Sequence, residues 1–173
     1  MGCKVGLGVD SSAICSGDIF YTMRIMLHTK RARDNTEVYE RGKIPKKLAA
    51  SVDEVIYVTA LGGAEAIHRE KELGSVEAGK LADITLMSTD GPSMVASLGL
   101  AAVIVLHATP AEVETVIVNG EIVKKDGKLT RINWGELKKE LLENRLEWRR
   151  CINTLIGHKH RRGSRLVVSL AQS

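Results

Sequence analysis

The sequence predicts an α/β fold, on three observations. Val5, Leu7 and Val9 alternate with Gly6 and Gly8, so residues 5–9 read as a short buried strand. Asp10 ends that strand and a helical pattern follows, an order that matches the βα unit closing a barrel. From Gly74 onward the apolar period shortens and strand-like segments gather without helices between them, as in a small β-sheet module.

Glycines at 6 and 8 imply that other backbone approaches this strand closely. Asp10 stands at the strand's carboxyl end, where parallel sheets and barrels bind ligands, and a carboxylate there can hold a metal or accept a proton. Ser16 is the expected N-cap of the first helix, with Asp18 in its first turn where negative charge suits the dipole. Ile19, Phe20, Met23, Met26 and Leu27 recur at helical spacing, and Lys30, Arg31 and Arg33 load the far end. Residues 34–47 read as an exposed, charged connection broken by Gly42 and Pro45.

Ser51-Val52-Asp53-Glu54 is a capping-box pattern, so a second helix should run through Val55, Ile56 and Ala60 until Gly62-Gly63 interrupts it. Residues 64–67 continue as a short turn of helix, and the small residues at this junction suit close packing rather than catalysis. Gly74 and Gly79 bracket a turn, residues 82–87 form a strand, and a loop follows at Thr89-Asp90-Gly91-Pro92. Residues 101–106 are a second strand candidate, with a helix possible just before them at 94–100. Asn119-Gly120 joins two alternating segments, 115–118 and 121–124, as a hairpin, because both central positions tolerate positive φ; Asp126-Gly127 is a second turn. Asn133 caps a last helix with Glu136 at N3 and an apolar stripe of Leu137, Leu141, Leu142 and Leu146, ending near Arg150. The chain thus divides into residues 1–73, a β-sheet module at 74–132, a C-terminal helix at 133–150 and a basic tail at 151–173.

The composition is that of a globular chain, 44% apolar and able to bury a core. Its net charge of +4 resides in residues 151–173, where Lys159, Arg161, Arg162 and Arg165 meet no acid; the rest is neutral, so only the tail could attract a polyanion. That tail lacks the aromatic interleaving of a nucleic-acid-binding surface, and no nucleic-acid partner is expected. Cys3, Cys15 and Cys151 show no CxxC spacing, which suggests neither a disulfide framework nor a cysteine zinc site and points to a cytoplasmic protein. The longest apolar run, residues 98–106, is too short to span a bilayer, so no membrane partner is expected.

Four ordered blocks carry a resemblance. They are Gly6-Leu7-Gly8-Val9-Asp10-Ser11-Ser12 with Ser16-Gly17-Asp18-Ile19-Phe20 and Met23-Arg24; Thr59-Ala60-Leu61-Gly62-Gly63-Ala64-Glu65-Ala66; Gly74-Ser75-Val76-Glu77-Ala78-Gly79-Lys80-Leu81-Ala82-Asp83-Ile84; and Val113-Glu114-Thr115-Val116-Ile117-Val118-Asn119-Gly120. In this order they resemble the metal-dependent amidohydrolases, in the branch of nucleobase deaminases and triazine hydrolases. The resemblance covers residues 4–150 and implies the C-terminal fragment of a TIM (β/α)8 barrel, its last βα unit and following helices, plus the C-terminal strands of a small composite β-sheet domain. A complete barrel takes about 250 residues, more than the 173 here.

The resemblance also implies an activity: hydrolysis of non-peptide carbon–nitrogen bonds, as by a deaminase of a heterocyclic amine. The residue matching Asp10 is catalytic and a ligand of a divalent metal, zinc or iron, and exchanges a proton with the metal-bound water. The family draws its other ligands from an HxH pair on the first strand and from His or a modified Lys on middle strands, none of which precedes Lys4 here. The chain alone is therefore expected to bind no metal and to be inactive, with a partner chain or self-association covering the barrel edges. One half of a split enzyme and a non-catalytic α/β interaction module are the alternatives. His158-Lys159-His160 is an HxH at the wrong end of the chain, among cations that repel a metal. His28, in the first helix among core residues, His68, where the family commonly has glycine, and His107, ending a strand, read as structural. Ile14-Cys15 replaces the small polar residues that line the family's pocket, and Cys15, without a readable base partner, reads as packing. Asp83 reads as organising the turn into the β module, and Glu65 as a packed or surface helix residue.

Overall fold

In the computed structural model, which describes residues 3–11, 14–95 and 99–160, the first helix α1 (Ile19–Glu40) is capped by Asp18 rather than by Ser16. The Asp18 carboxylate accepts from the amides of Phe20 at 2.9 Å and Tyr21 at 3.3 Å, while Ser16 Oγ accepts only from Asp18 N, outside the helix. A carboxylate is the better acceptor for the positive end of the helix dipole. The helix also runs through residues 34–40, which the sequence pattern assigned to a connection. Residues 19–41 hold no glycine or proline, and the Lys30–Asp34 pair at i,i+4 supports the added turns. Gly42, at φ +69°, then turns the chain away.

The capping box forms as the sequence predicts: Glu54 N donates to Ser51 Oγ at 3.1 Å and Ser51 N to Glu54 Oε2 at 3.0 Å, opening α2 (Val52–Thr59). The break falls at Ala60 (φ −103°, ψ −87°), and α3 (Leu61–Ala66) includes both glycines. Those glycines serve packing. A β-carbon at Gly6 would lie 2.7 Å from Gly63 Cα, and one at Gly62 would lie 3.0 Å from the Val5 carbonyl.

Residues 5–9 form no strand and carry no regular secondary structure. A strand needs a ladder, and the described strands pair only with one another, so this segment keeps Leu7 N donating to Val58 O at 3.4 Å. Residues 101–106 are helical instead of a strand, within α4 (Leu100–Leu106). A short apolar run suits a buried helix or a buried strand equally, and Ala101 and Ala102 favour the helix.

β1 (Ile84–Met87), β2 (Val113–Val118), β3 (Glu121–Lys125) and β4 (Lys128–Leu129) form one antiparallel sheet in that order. Ile84 pairs with Ile117, which pairs in turn with Ile122. The β2–β3 turn has both central residues left-handed, Asn119 at φ +49° and Gly120 at φ +81°, as a type I′ hairpin requires. Asp83 organises this region: its Oδ1 accepts from Asn119 N at 2.7 Å, beside Gly120 N donating to Ala82 O at 3.0 Å.

The core gathers Phe20, Met23 and Leu27 of α1, Val55 of α2, Val103 and Val105 of α4 and Val113 of β2, with Leu7 packed against it. Arg24 Nη1 donates to Ala108 O at 2.7 Å, just beyond the carbonyl end of α4. Glu112, leading into β2, accepts from Thr109 N and Oγ1, both at 2.7 Å, and from Ser93 Oγ at 2.9 Å. Those bonds, the Thr109 hydroxyl's foremost, hold its carboxyl down at about 2. Residues 1–130 and 131–173 are separate units. In the second, Asn133 Oδ1 accepts from Gly135 N at 3.1 Å and caps α5 (Trp134–His160), which continues past Arg150 because no breaker stands there. The remaining tail, from residue 161, lies outside the described residues.

Two outcomes are expected. Gly6→Ala should destabilise the first unit by about 1–3 kcal/mol through the clash with Gly63, while Gly8→Ala, whose β-carbon meets nothing within 4 Å, should leave the urea midpoint nearly unchanged. Because the folded pKa of Glu112 lies below its ordinary value of 4.5, its stabilising effect is full above that pH and is lost as pH falls toward about 2. Urea midpoints measured across that window should fall more steeply for the natural chain than for Glu112→Gln.

Candidate functional site

Asp10 directly follows residues 5–9, exposed and with φ at +59°. Few residues other than glycine adopt this left-handed conformation, and aspartate is among those that do, because its short polar side chain can hydrogen-bond locally. Ser11 O accepts from Ile14 N at 3.2 Å and Cys15 N at 2.9 Å, so a tight turn carries the chain toward the Asp18 cap. The segment before Asp10 is fixed from the side: Lys4 Nζ lies 3.5 Å from Glu65 Oε2, and Glu65 also accepts from the Tyr57 hydroxyl, which holds that hydroxyl's pKa above its ordinary value. Glu65 therefore brackets the segment to α2 and α3, as a packed helix residue. The left-handed turn at Asp10 and this bracket escaped sequence reasoning, since the bracket joins three segments with no shared periodicity.

The structure does not assemble a metal centre around Asp10. Among the described residues no group of three or more His, Cys, Asp or Glu could hold a metal ion. A catalytic zinc takes about three protein ligands, so Asp10 alone does not fit the metal that the resemblance implies. His28 is exposed on α1, not among core residues, and His107 follows α4 as its C-cap instead of ending a strand. His68 is exposed with φ at +58°, a left-handed position that glycine adopts most easily. Cys15 is exposed, not packed. Residues 158 and 160 belong to the last turn of α5, and a helical backbone sets positions two apart on opposite sides, unlike the strand-borne HxH pair. No helix among the described residues is long and apolar enough to cross a membrane.

The model of the amidohydrolase family matches residues 1–123. A 5-methylthioadenosine/S-adenosylhomocysteine deaminase from Desulfovibrio desulfuricans is 31% identical over 140 residues, 81% of this chain and 30% of the relative. An S-triazine hydrolase from Gordonia rubripertincta is 30% identical over 150 residues, 84% of this chain and 29% of the relative. The structure of an adenosine deaminase from Xanthomonas campestris with bound zinc superposes with a TM-score of 0.65 at 20% identity, over 79% of this chain and 28% of that one. The chain thus spans less than a third of the length of these relatives.

Proposed function

Because the chain belongs to the amidohydrolase family, we propose that it forms part of a hydrolase that acts on a non-peptide carbon–nitrogen bond of a nitrogen heterocycle, with Asp10 at the reacting centre. The observation that carries this reading is the left-handed Asp10 after residues 5–9, followed by a tight turn and a capped helix. Relatives named as deaminases of adenosine compounds and as a triazine hydrolase support an amino-substituted purine or triazine as the substrate class. Asp10 would take a proton from the attacking water and return it to the leaving nitrogen, the role a single carboxylate can serve from one position.

The family's divalent metal, zinc or iron, would find one ligand in this chain, at Asp10. The others, and most of the substrate pocket, would come from polypeptide outside these 173 residues, packed against residues 1–73 in a cytoplasmic setting with reduced cysteines. Residues 74–132 are the share of the composite β-sheet domain in this chain.

Two measurements test this. Elemental analysis of the purified chain should find no stoichiometric zinc or iron. Mixing the chain with the part of the Desulfovibrio desulfuricans relative that this chain does not match should then yield bound metal and ammonia release from S-adenosylhomocysteine or an aminotriazine. Asp10→Ala should lower that release by about 10²–10⁴-fold. Stoichiometric metal in these 173 residues alone would overturn the need for ligands from outside them, and full activity in Asp10→Ala would remove Asp10 from the reaction. A mixture that binds no metal and releases no ammonia would favour the non-catalytic module.

A further inference from the structure

The second unit carries a surface that the hydrolase reading does not use. Along α5, Trp134, Leu141 and Trp148 recur at intervals of seven, and Leu137, Asn144 and Cys151 follow each of them by three. This is the a and d spacing of a coiled coil, whose strict repeat of 3.5 residues per turn keeps one narrow seam facing a partner helix. Trp134 is 59% exposed, Leu141 51% and Trp148 71%, with Ile152 beside them at 48%, while Leu137 is half-buried. Leu142 and Leu146 fall outside it.

We propose that α5 joins two copies of this chain in a parallel two-stranded coiled coil. Charge and polarity both select a second copy over an unrelated helix. In a parallel pair each g position faces the e position of the next heptad on the other strand, and here those are Glu140 and Arg145. A dimer of identical chains therefore gains this opposite-charge contact twice. Asn144 is the single amide at a core position; in register it meets its own counterpart, and the two side chains can satisfy each other while rejecting shifted or antiparallel pairings. The same register brings the two Cys151 thiols face to face.

Sedimentation velocity on the full chain at micromolar concentrations should show a dimer. Leu141→Glu, on the seam, should weaken it at least about tenfold, while Lys139→Glu, outside the seam, should not. Glu140→Arg should also weaken the dimer and the added Arg145→Glu should restore it, an outcome that a merely misfolded variant cannot give. With Cys3 and Cys15 replaced by serine, diamide as the added oxidant should link two chains through Cys151, and Cys151→Ser should abolish the link. A monomeric natural chain, a dimer that survives Leu141→Glu, failure of the charge swap to restore association, or a dimer that does not cross-link at Cys151 would each overturn the proposal.

Discussion

The contact between the backbones at Gly6 and Gly63 decides where Asp10 sits. No ladder holds the segment before Asp10, so its position rests on close packing against α3, the Leu7–Val58 hydrogen bond and the ion pair of Lys4 with Glu65. Close packing is unforgiving of added atoms, because interiors have no slack to absorb a methyl group against backbone. The small residues Ala60, Gly62, Gly63 and Ala64 are therefore part of the site's architecture although none of them carries chemistry. Leu7 packs against the core, so the segment that carries the carboxylate is tied to the core through one residue.

What was legible in the sequence is what short-range chemistry determines. Ser51 and Glu54 satisfy each other's amides within a single turn, and Asn119-Gly120 can reverse a chain with the handedness the strands need, so both features follow from a few residues. Asp83 was readable as a turn organiser, although its partner, Asn119 N, lies 36 residues away. Residues 5–9 and 101–106 were misread for the opposite reason. Whether an apolar segment is strand or helix depends on what lies beside it, and neither alternation nor hydrophobicity supplies a neighbour. At the first cap, Ser16 and Asp18 are both good capping types, and the choice fell to the one whose carboxylate reaches two helix amides.

Of the site, the sequence offers Asp10 as a candidate carboxylate and cannot tell whether the site is complete. The strand it was expected to end does not form; the structure shows Asp10 exposed, in an uncommon left-handed backbone conformation. Metal chemistry, by contrast, needs several ligands converging on one point, which is a property of the assembled fold. The isolated histidines show this: His28 lies on α1, His68 just after α3 and His107 at the end of α4.

The anchoring of α1 is uneven. Its buried side chains, Phe20, Met23 and Leu27, all lie in the first nine residues, and Arg31 Nε donates to Ala50 O at 3.1 Å. Further along, Asp34, Asn35 and Val38 are only half-buried, and Lys30 pairs with Asp34 along the surface. A rod clamped at one end has a gradient of local stability, and its free turns can open without disturbing the clamp. Amide hydrogen exchange along α1 would accordingly be slow, set by global unfolding, near Met23 and Leu27, and would quicken turn by turn toward Glu40. The helix thus gives the Asp18 cap, and the turn leading back to Asp10, a rigid base whose far end can yield independently.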